Sequence, residues 1–259
     1  MLTNKTIDLN NFNKDGYVIK DIFCRSEEFS NLAKDLQINI QNYLKNNSKQ
    51  IRKLGGYKSG NLNFVSKNHS DKLLELLNKN AFKDYFNFLT KEELSDYEII
   101  LGGNLNFPKS KNQFFHTDGN WDPRMIIVNI ATTDISNHNG PMEIIIGSHK
   151  LKISYWRFII KKIFLKKKKI RLNKGELIIR EHRLWHRGTT NYSSQPREMI
   201  GIMFKKKLLN KKKDYFKQEN FLIFSNIFGN STKEKFKEFI FLNFRFMFSL
   251  YKIIISILR

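Results

Sequence analysis

Phe114-Phe-His-Thr-Asp-Gly-Asn-Trp121 places His116 and Asp118 at i and i+2. On an extended segment that spacing points both side chains to one face, where an imidazole and a carboxylate can grip one ion. His-x-Asp alone is common by chance. About seventy residues on, Glu181-His-Arg-Leu-Trp-His-Arg-Gly188 offers His182 and His186. One histidine from this run completes two histidines and a carboxylate, the facial set that leaves open positions on Fe(II) for a cosubstrate and O₂. Eleven residues beyond His186, after the turn signal Ser193-Ser-Gln-Pro196, stands Arg197. Alone it reads as a surface arginine on a strand. Returned antiparallel beside such a metal, its guanidinium can hold the far carboxylate of a dicarboxylate through two parallel hydrogen bonds.

Several elements must position these residues. Phe12-Asn-Lys-Asp-Gly-Tyr-Val18 suits a short helix or turn entering a strand. Residues 26–47 predict a helix, with Ser26, Glu27 and Glu28 at its start and Leu32, Leu36, Ile40 and Tyr43 on one face. Residues 71–89 predict a second. Between them, Leu54-Gly-Gly-Tyr-Lys-Ser-Gly-Asn-Leu-Asn63 could cradle phosphate through backbone N–H groups, but lacks a full phosphate-loop pattern and reads better as a plain glycine-rich turn. From residue 97 the texture changes to short β-rich runs at 97–107, 125–132, 142–146, 176–180 and 199–204, separated by turns such as Asn139-Gly-Pro141. Such strands without alternating long helices predict an antiparallel barrel or jelly roll.

The ordered set resembles the phytanoyl-CoA dioxygenase family of Fe(II)/2-oxoglutarate-dependent oxygenases. Phe-His-x-Asp at 115–118 looks like its proximal motif. Asn139-Gly-Pro-Met-Glu-Ile-Ile-Ile-Gly-Ser-His149 is similar to its N-G-x-(apolar)-P-G-S-H segment, and Leu184-Trp-His-Arg-Gly-Thr-Thr-Asn-Tyr-Ser-Ser-Gln-Pro-Arg197 to its distal histidine and cosubstrate arginine. Phe12 to Val18 fits the family's opening signature, so the resemblance runs from about residue 10 to 205. It implies a mainly β fold with flanking helices (α+β): a double-stranded β-helix (jelly-roll, cupin-like) core behind N-terminal helices. It assigns His116, Asp118 and His186 to the catalytic iron and Arg197 to 2-oxoglutarate. His182 competes for the distal position, but the arginine spacing favours His186; His149 reads as structural. Two positions depart from the family pattern. Ile146 stands where proline is common, and Gly188 where some members carry a cosubstrate-binding serine. Asn104, which shares a strand face with Asn106, is the expected replacement for that serine. Retention of Asp118 implies hydroxylation, since related halogenases lose this carboxylate to make room for chloride. The same triad also supports desaturation or epimerisation.

Net charge is +22, yet residues 1–149 carry 18 Lys+Arg against 17 Asp+Glu, and residues 150–259 carry 28 against 7. AT-rich coding enriches lysine but would spread it evenly. The expectation is a jelly-roll oxygenase domain at 1–205, with a basic amphipathic insertion at about 150–174, and a basic, phenylalanine-rich, amphipathic helical extension at 206–259. In that extension Arg245, Ser249, Lys252, Ser256 and Arg259 recur at helical spacing on an apolar background. It is too polar to span a bilayer. It suits a helix packed on the barrel or one lying on an anionic membrane surface, with nucleic acid ranking last. The single Cys24 excludes a disulfide framework and a thiolate metal site, and the start lacks the pattern of a secretory signal, so the expected location is cytoplasmic or peripheral at a membrane. Together these point to Fe(II), 2-oxoglutarate and O₂ used to hydroxylate an aliphatic C–H of a small or lipid-linked metabolite, with succinate and CO₂ as co-products. Trp121, Trp185 and Tyr57 are the expected pocket walls. The alternative is a non-catalytic membrane-surface binding protein on a degenerate oxygenase scaffold.

Overall fold

The computed structural model describes residues 2–119, 125–207, 221–225 and 228–257. The helices are α1 Leu2–Asp15, α2 Glu27–Asn46, α3 Ser48–Ile51, α4 Lys67–Asn78, α5 Asn80–Thr90, α6 Tyr155–Lys161, α7 Thr232–Asn243 and α8 Arg245–Ile257. The strands are β1 Tyr17–Lys20, β2 Asn61–Val65, β3 Tyr97–Asn106, β4 Met125–Ala131, β5 Met142–Ile145, β6 Lys167–Ile170, β7 Leu177–Glu181, β8 His186–Gly188, β9 Arg197–Lys206 and β10 Leu222–Ser225. A seven-stranded sheet runs β1-β7-β4-β9-β3-β2-β10 and a three-stranded one β6-β5-β8, with every named pairing antiparallel. This is the expected jelly roll.

Alternation along the strands divides the core. Val128, Ile130, Ile200, Ile202 and Phe204 face the helical layer, where they pack with Phe29, Leu32, Leu36, Leu73, Phe82 and Phe86. Their chain neighbours Ala131 and Met199, with Ile178, meet Met142, Ile144 and Ile170 of the small sheet. Because β4 is covered on both sides, it reads as a near-continuous apolar run rather than an alternating one. Ser26 caps α2 as its spacing predicts, accepting from the Phe29 N–H at 3.1 Å. The helix expected over 71–89 is two, α4 and α5.

The glycine-rich segment holds an anion, but one of the chain's own. Backbone N–H groups of Gly56 and Ser59 donate to Glu238 Oε2 and Oε1, each at 3.1 Å, and Glu238 on α7 is only 1% exposed. The cradle fastens α7 to the barrel.

The basic blocks differ from expectation in shape. Helix α6 ends at Lys161, and residues 167–170 form β6, the edge of the small sheet, with Lys167, Lys168 and Lys169 exposed. Pairing with β5 holds this lysine run extended, and lysines on an edge strand discourage pairing with another chain. The chain after residue 205 supplies β10, which pairs with β2 at the far edge of the large sheet, before α7 and α8. Arg259 lies outside the described residues.

Candidate metal centre and cosubstrate cavity

His116 and His186 are brought together by backbone pairing. The His116 N–H donates to the His186 carbonyl and the His186 N–H to the His116 carbonyl, both at 3.0 Å, leaving the rings 4.4 Å apart between centroids. Each ring is oriented from behind: His116 Nδ1 lies 2.8 Å from the Phe114 carbonyl and His186 Nδ1 2.9 Å from the Leu184 carbonyl. A carbonyl at Nδ1 selects the tautomer with its proton there, leaving both Nε2 lone pairs free to face a cation. Asp118, two residues further along the chain, is fixed by its N–H to the His182 carbonyl at 2.9 Å. Its Oδ1 lies 3.9 Å from His116 Nε2 and its Oδ2 3.5 Å from His186 Nε2.

One donor atom from each of the three lies within 4.8 Å of the others, and no second such group of three occurs among the described residues. Ligands bound at about 2.1 Å and at right angles sit roughly 3 Å apart, so a small contraction closes this set around one ion. The residues present therefore fit a facial two-histidine, one-carboxylate site. His182 is fully buried and faces elsewhere, with Nδ1 within 3.1 Å of the Met125 nitrogen and 2.8 Å of its carbonyl oxygen. Burial, reinforced by Arg180, pushes His186 down to about 3 despite Asp118, so the ring is neutral. Burial alone would raise the Asp118 carboxyl; Arg180 first, then His186 and His116, outweigh it and hold the group well below the usual carboxylate range.

The three groups open on a cavity of about 330 Å³ inside the barrel. Arg197 lines it and is 4% exposed; one terminal nitrogen donates to the Gly140 carbonyl at 2.9 Å, while Nε has no partner. Burial lowers this guanidinium to about 10, with Glu198 opposing, so it stays charged at neutral pH. A buried arginine with an unused donor is suited to a carboxylate ligand. Asn191 organises the turn that delivers Arg197: its amide donates to the Asn106 and Gln195 carbonyls at 2.9 and 2.8 Å, and its oxygen accepts from the Ser193 N–H at 2.9 Å.

Asn104 also lines the cavity, with its amide donating to the Leu62 carbonyl at 3.1 Å. Beside Gly188 the available space is taken by Gln113, whose Oε1 accepts from the Gly188 N–H at 2.8 Å; a Cβ on Gly188 would stand 3.0 Å from that oxygen. At the other departure, the Ile146 N–H donates to the Lys166 carbonyl at 3.0 Å, a bond proline cannot make. His149 packs over Gly16, and its Nε2 lies 3.3 Å from the Asn13 carbonyl.

Two expectations about the walls are corrected. Trp185 stacks on Phe158 at 3.6 Å and Tyr57 meets Phe107 at 5.9 Å, both outside the lining, while Trp121 lies outside the described residues. The described walls come from the strands instead: Ile100, Ile127, Met199 and Met203, with the small Gly102 and Gly201 opposite each other. Sequence reasoning missed Arg180. It is 3% exposed on β7 and lines the cavity, donating from one terminal nitrogen to Asp118 Oδ2 at 2.6 Å and from Nε to Asn129 Oδ1 at 3.2 Å. The available signal was an arginine inside the otherwise aliphatic run Leu177-Ile-Ile-Arg180.

A jelly roll with an open, mixed-polarity cavity and a convergent histidine–aspartate set defines the class of cupin-like oxygenases. The chain belongs to the phytanoyl-CoA dioxygenase family, whose model matches residues 12–199. It is accordingly a 2-oxoglutarate-dependent non-haem iron oxygenase. Among solved structures it is similar to the epimerase SnoN, crystallised with Fe3+, alpha ketoglutarate and nogalamycin RO, at 14% identity over 86% of this chain and 99% of that one, with a TM-score of 0.61. AviO1 from Streptomyces viridochromogenes aligns at 14% identity over 78% and 94% of the two chains, TM-score 0.59. EctD from S. alaskensis aligns at 17% over 76% and 75%, TM-score 0.54. At these identities the likeness concerns the fold. No curated protein matches the chain by sequence.

Proposed function

We propose that His116, Asp118 and His186 hold the iron, that Arg197 holds the distal carboxylate of 2-oxoglutarate, and that the enzyme hydroxylates an aliphatic C–H of a small metabolite. The observation that carries this reading is the convergence of three donor atoms on the cavity that Arg197 also lines. When bound, the iron and its cosubstrate supply O₂ activation, with succinate and CO₂ released. The chain's own groups do the rest. Carbonyls behind both histidines aim the ligand atoms, Arg197 orients the cosubstrate, and the aliphatic strand walls keep water from the reacting carbon. Asn104 is proposed as a further contact to 2-oxoglutarate, since it lines the cavity on the strand paired with β9. Retained Asp118 favours hydroxylation over halogenation, and desaturation or epimerisation remains the runner-up chemistry for the same triad. In an assay without added substrate, Fe(II)-dependent succinate release from 2-oxoglutarate is expected, and lost in His186→Ala. Equal release from both proteins would reject the ligand assignment.

A second reading, of location, rests on the surface, and it bears on whether the substrate is lipid-linked. No helix among the described residues is long and apolar enough to cross a membrane. Along α8, however, Phe246, Leu250 and Ile254 recur every four residues and are exposed, and on the neighbouring α6 turn Ile163 and Phe164 are 72% and 85% exposed. Exposed Lys161, Lys166, Lys167, Lys168, Lys169 and Lys252 accompany them. Apolar side chains among lysines match an anionic bilayer surface. We assign this face to membrane docking, the jelly-roll domain being 1–205 and the docking extension 206–259.

A further inference from the structure

The guanidinium of Arg180 is held at two nitrogens and leaves the third unused beside the candidate iron. Nε is engaged by Asn129 and one terminal nitrogen by Asp118, while the other terminal nitrogen is buried without a hydrogen-bond partner. An arginine fork pinned at two corners has a fixed plane, so its remaining N–H groups have a fixed direction. Buried donors without an acceptor are costly, and this one belongs to a residue that lines the cavity.

Its position separates it from Arg197. Ile127 on β4 pairs with Arg180 on one side and Met203 on the other, whereas Arg197 lies six residues earlier on β9, opposite Asn106. Six strand residues span about 20 Å, so the backbones of the two arginines stand at different levels of the barrel. The wall level with Arg180 is aliphatic, formed by Ile100, Ile127 and Met203. Charge gives an independent indication. Among the described lining residues, Asp118 is the only acid and Arg180 and Arg197 the only fixed cations. With a divalent ion and doubly charged 2-oxoglutarate bound, four positive charges face three negative ones, and a monoanion restores neutrality.

We propose that the free arm of Arg180 is a subsite for a carboxylate on the substrate, whose aliphatic chain lies along Ile100, Ile127 and Met203. This rests on the iron and 2-oxoglutarate assignment above. The test is anaerobic binding to enzyme loaded with Fe(II) and saturating 2-oxoglutarate, whose visible charge-transfer band reports both, using octanoate and its uncharged isostere octanamide as probes. Octanoate is expected to bind at least tenfold more tightly than octanamide and Arg180→Lys to keep part of that difference, while Arg180→Gln, judged in protein that shows the band, abolishes it. Equal affinities in the unmodified enzyme, or a preference that survives in Arg180→Gln, would overturn the proposal. So would displacement of 2-oxoglutarate by octanoate. A loss of 2-oxoglutarate affinity as the sole effect of Arg180→Gln would overturn it too, by giving the free arm to the cosubstrate's own carboxylate. Absence of the band in the unmodified enzyme would instead reject the iron and cosubstrate assignment, and the subsite with it. Should Arg180→Gln fail to load iron, the probe pair on the unmodified enzyme and on Arg180→Lys still decides.

Discussion

Asp118 does two things with one carboxylate. Oδ2 accepts from Arg180, and both oxygens face the histidine Nε2 atoms. The arginine keeps the group ionised in a partly buried setting, where a carboxylate alone would tend to take up a proton. Arg197 has the simpler task of meeting an incoming anion with donors already desolvated. A charged hydrogen bond contributes roughly 1.5–3 kcal/mol, so loss of one in Arg197→Gln is expected to weaken 2-oxoglutarate binding by about 10- to 150-fold with Fe(II) affinity little changed, as read by titration of each. A parallel loss of metal binding would place Arg197 in the metal site rather than beside it. His116, Asp118, His186 and Arg197 could be picked from the sequence because their spacing is local or matches an ordered pattern. Arg180 could not, because its importance lies in what it touches, Asp118 and Asn129, which are 62 and 51 residues away.

At the scale of elements, β3 and β9 show how neighbouring glycines differ in what they face. A Cβ on Gly201 would meet nothing nearer than Asn129 Nδ2 at 3.5 Å, whereas one on Gly103 would lie 2.1 Å from the Phe64 ring. Gly201→Ala is therefore expected to unfold within about 0.5 kcal/mol of the parent, and Gly103→Ala to cost roughly 1–3 kcal/mol, by urea denaturation. Reversed costs would mean that the faces of β9 are misassigned. Most strands were legible because alternation and turn residues mark them, and α2 because Ser26 and its apolar stripe do. Strand β6 was not, since Lys167-Lys-Lys169 carries no period and only pairing with β5 makes it extended. The Glu238 cradle escaped for the same reason as Arg180: its partners Gly56 and Ser59 lie 182 and 179 residues away. Glu238→Ala strands two backbone donors and is expected to destabilise the fold by about 2–4 kcal/mol. An unchanged urea midpoint would show that the cradle is solvated.

Over the whole molecule, the net charge of +22 resolves into a nearly balanced first part and a basic second part, whose helix α6 packs over Ile145 of the small sheet with α8 against it. That covering is tied to the site. Phe248 of α8 stacks on Phe114 at 3.7 Å, and Arg245 donates to the Asn112 carbonyl at 2.9 Å, both within a few residues of His116. A docked face would thus adjoin the segment that carries two proposed metal ligands, His116 and Asp118. Phe246→Ser with Leu250→Ser and Ile254→Ser is expected to reduce co-sedimentation with phosphatidylserine-containing vesicles at least tenfold, with Fe(II) binding retained. Undiminished sedimentation, or none by the parent protein at low salt, would remove the membrane reading and leave the oxygenase reading standing. The central claim is the ligand set, and anaerobic equilibrium dialysis against Fe(II) tests it most directly. The account predicts one Fe(II) per chain, with affinity falling at least about 100-fold in Asp118→Ala; unchanged Fe(II) binding by that variant would contradict it.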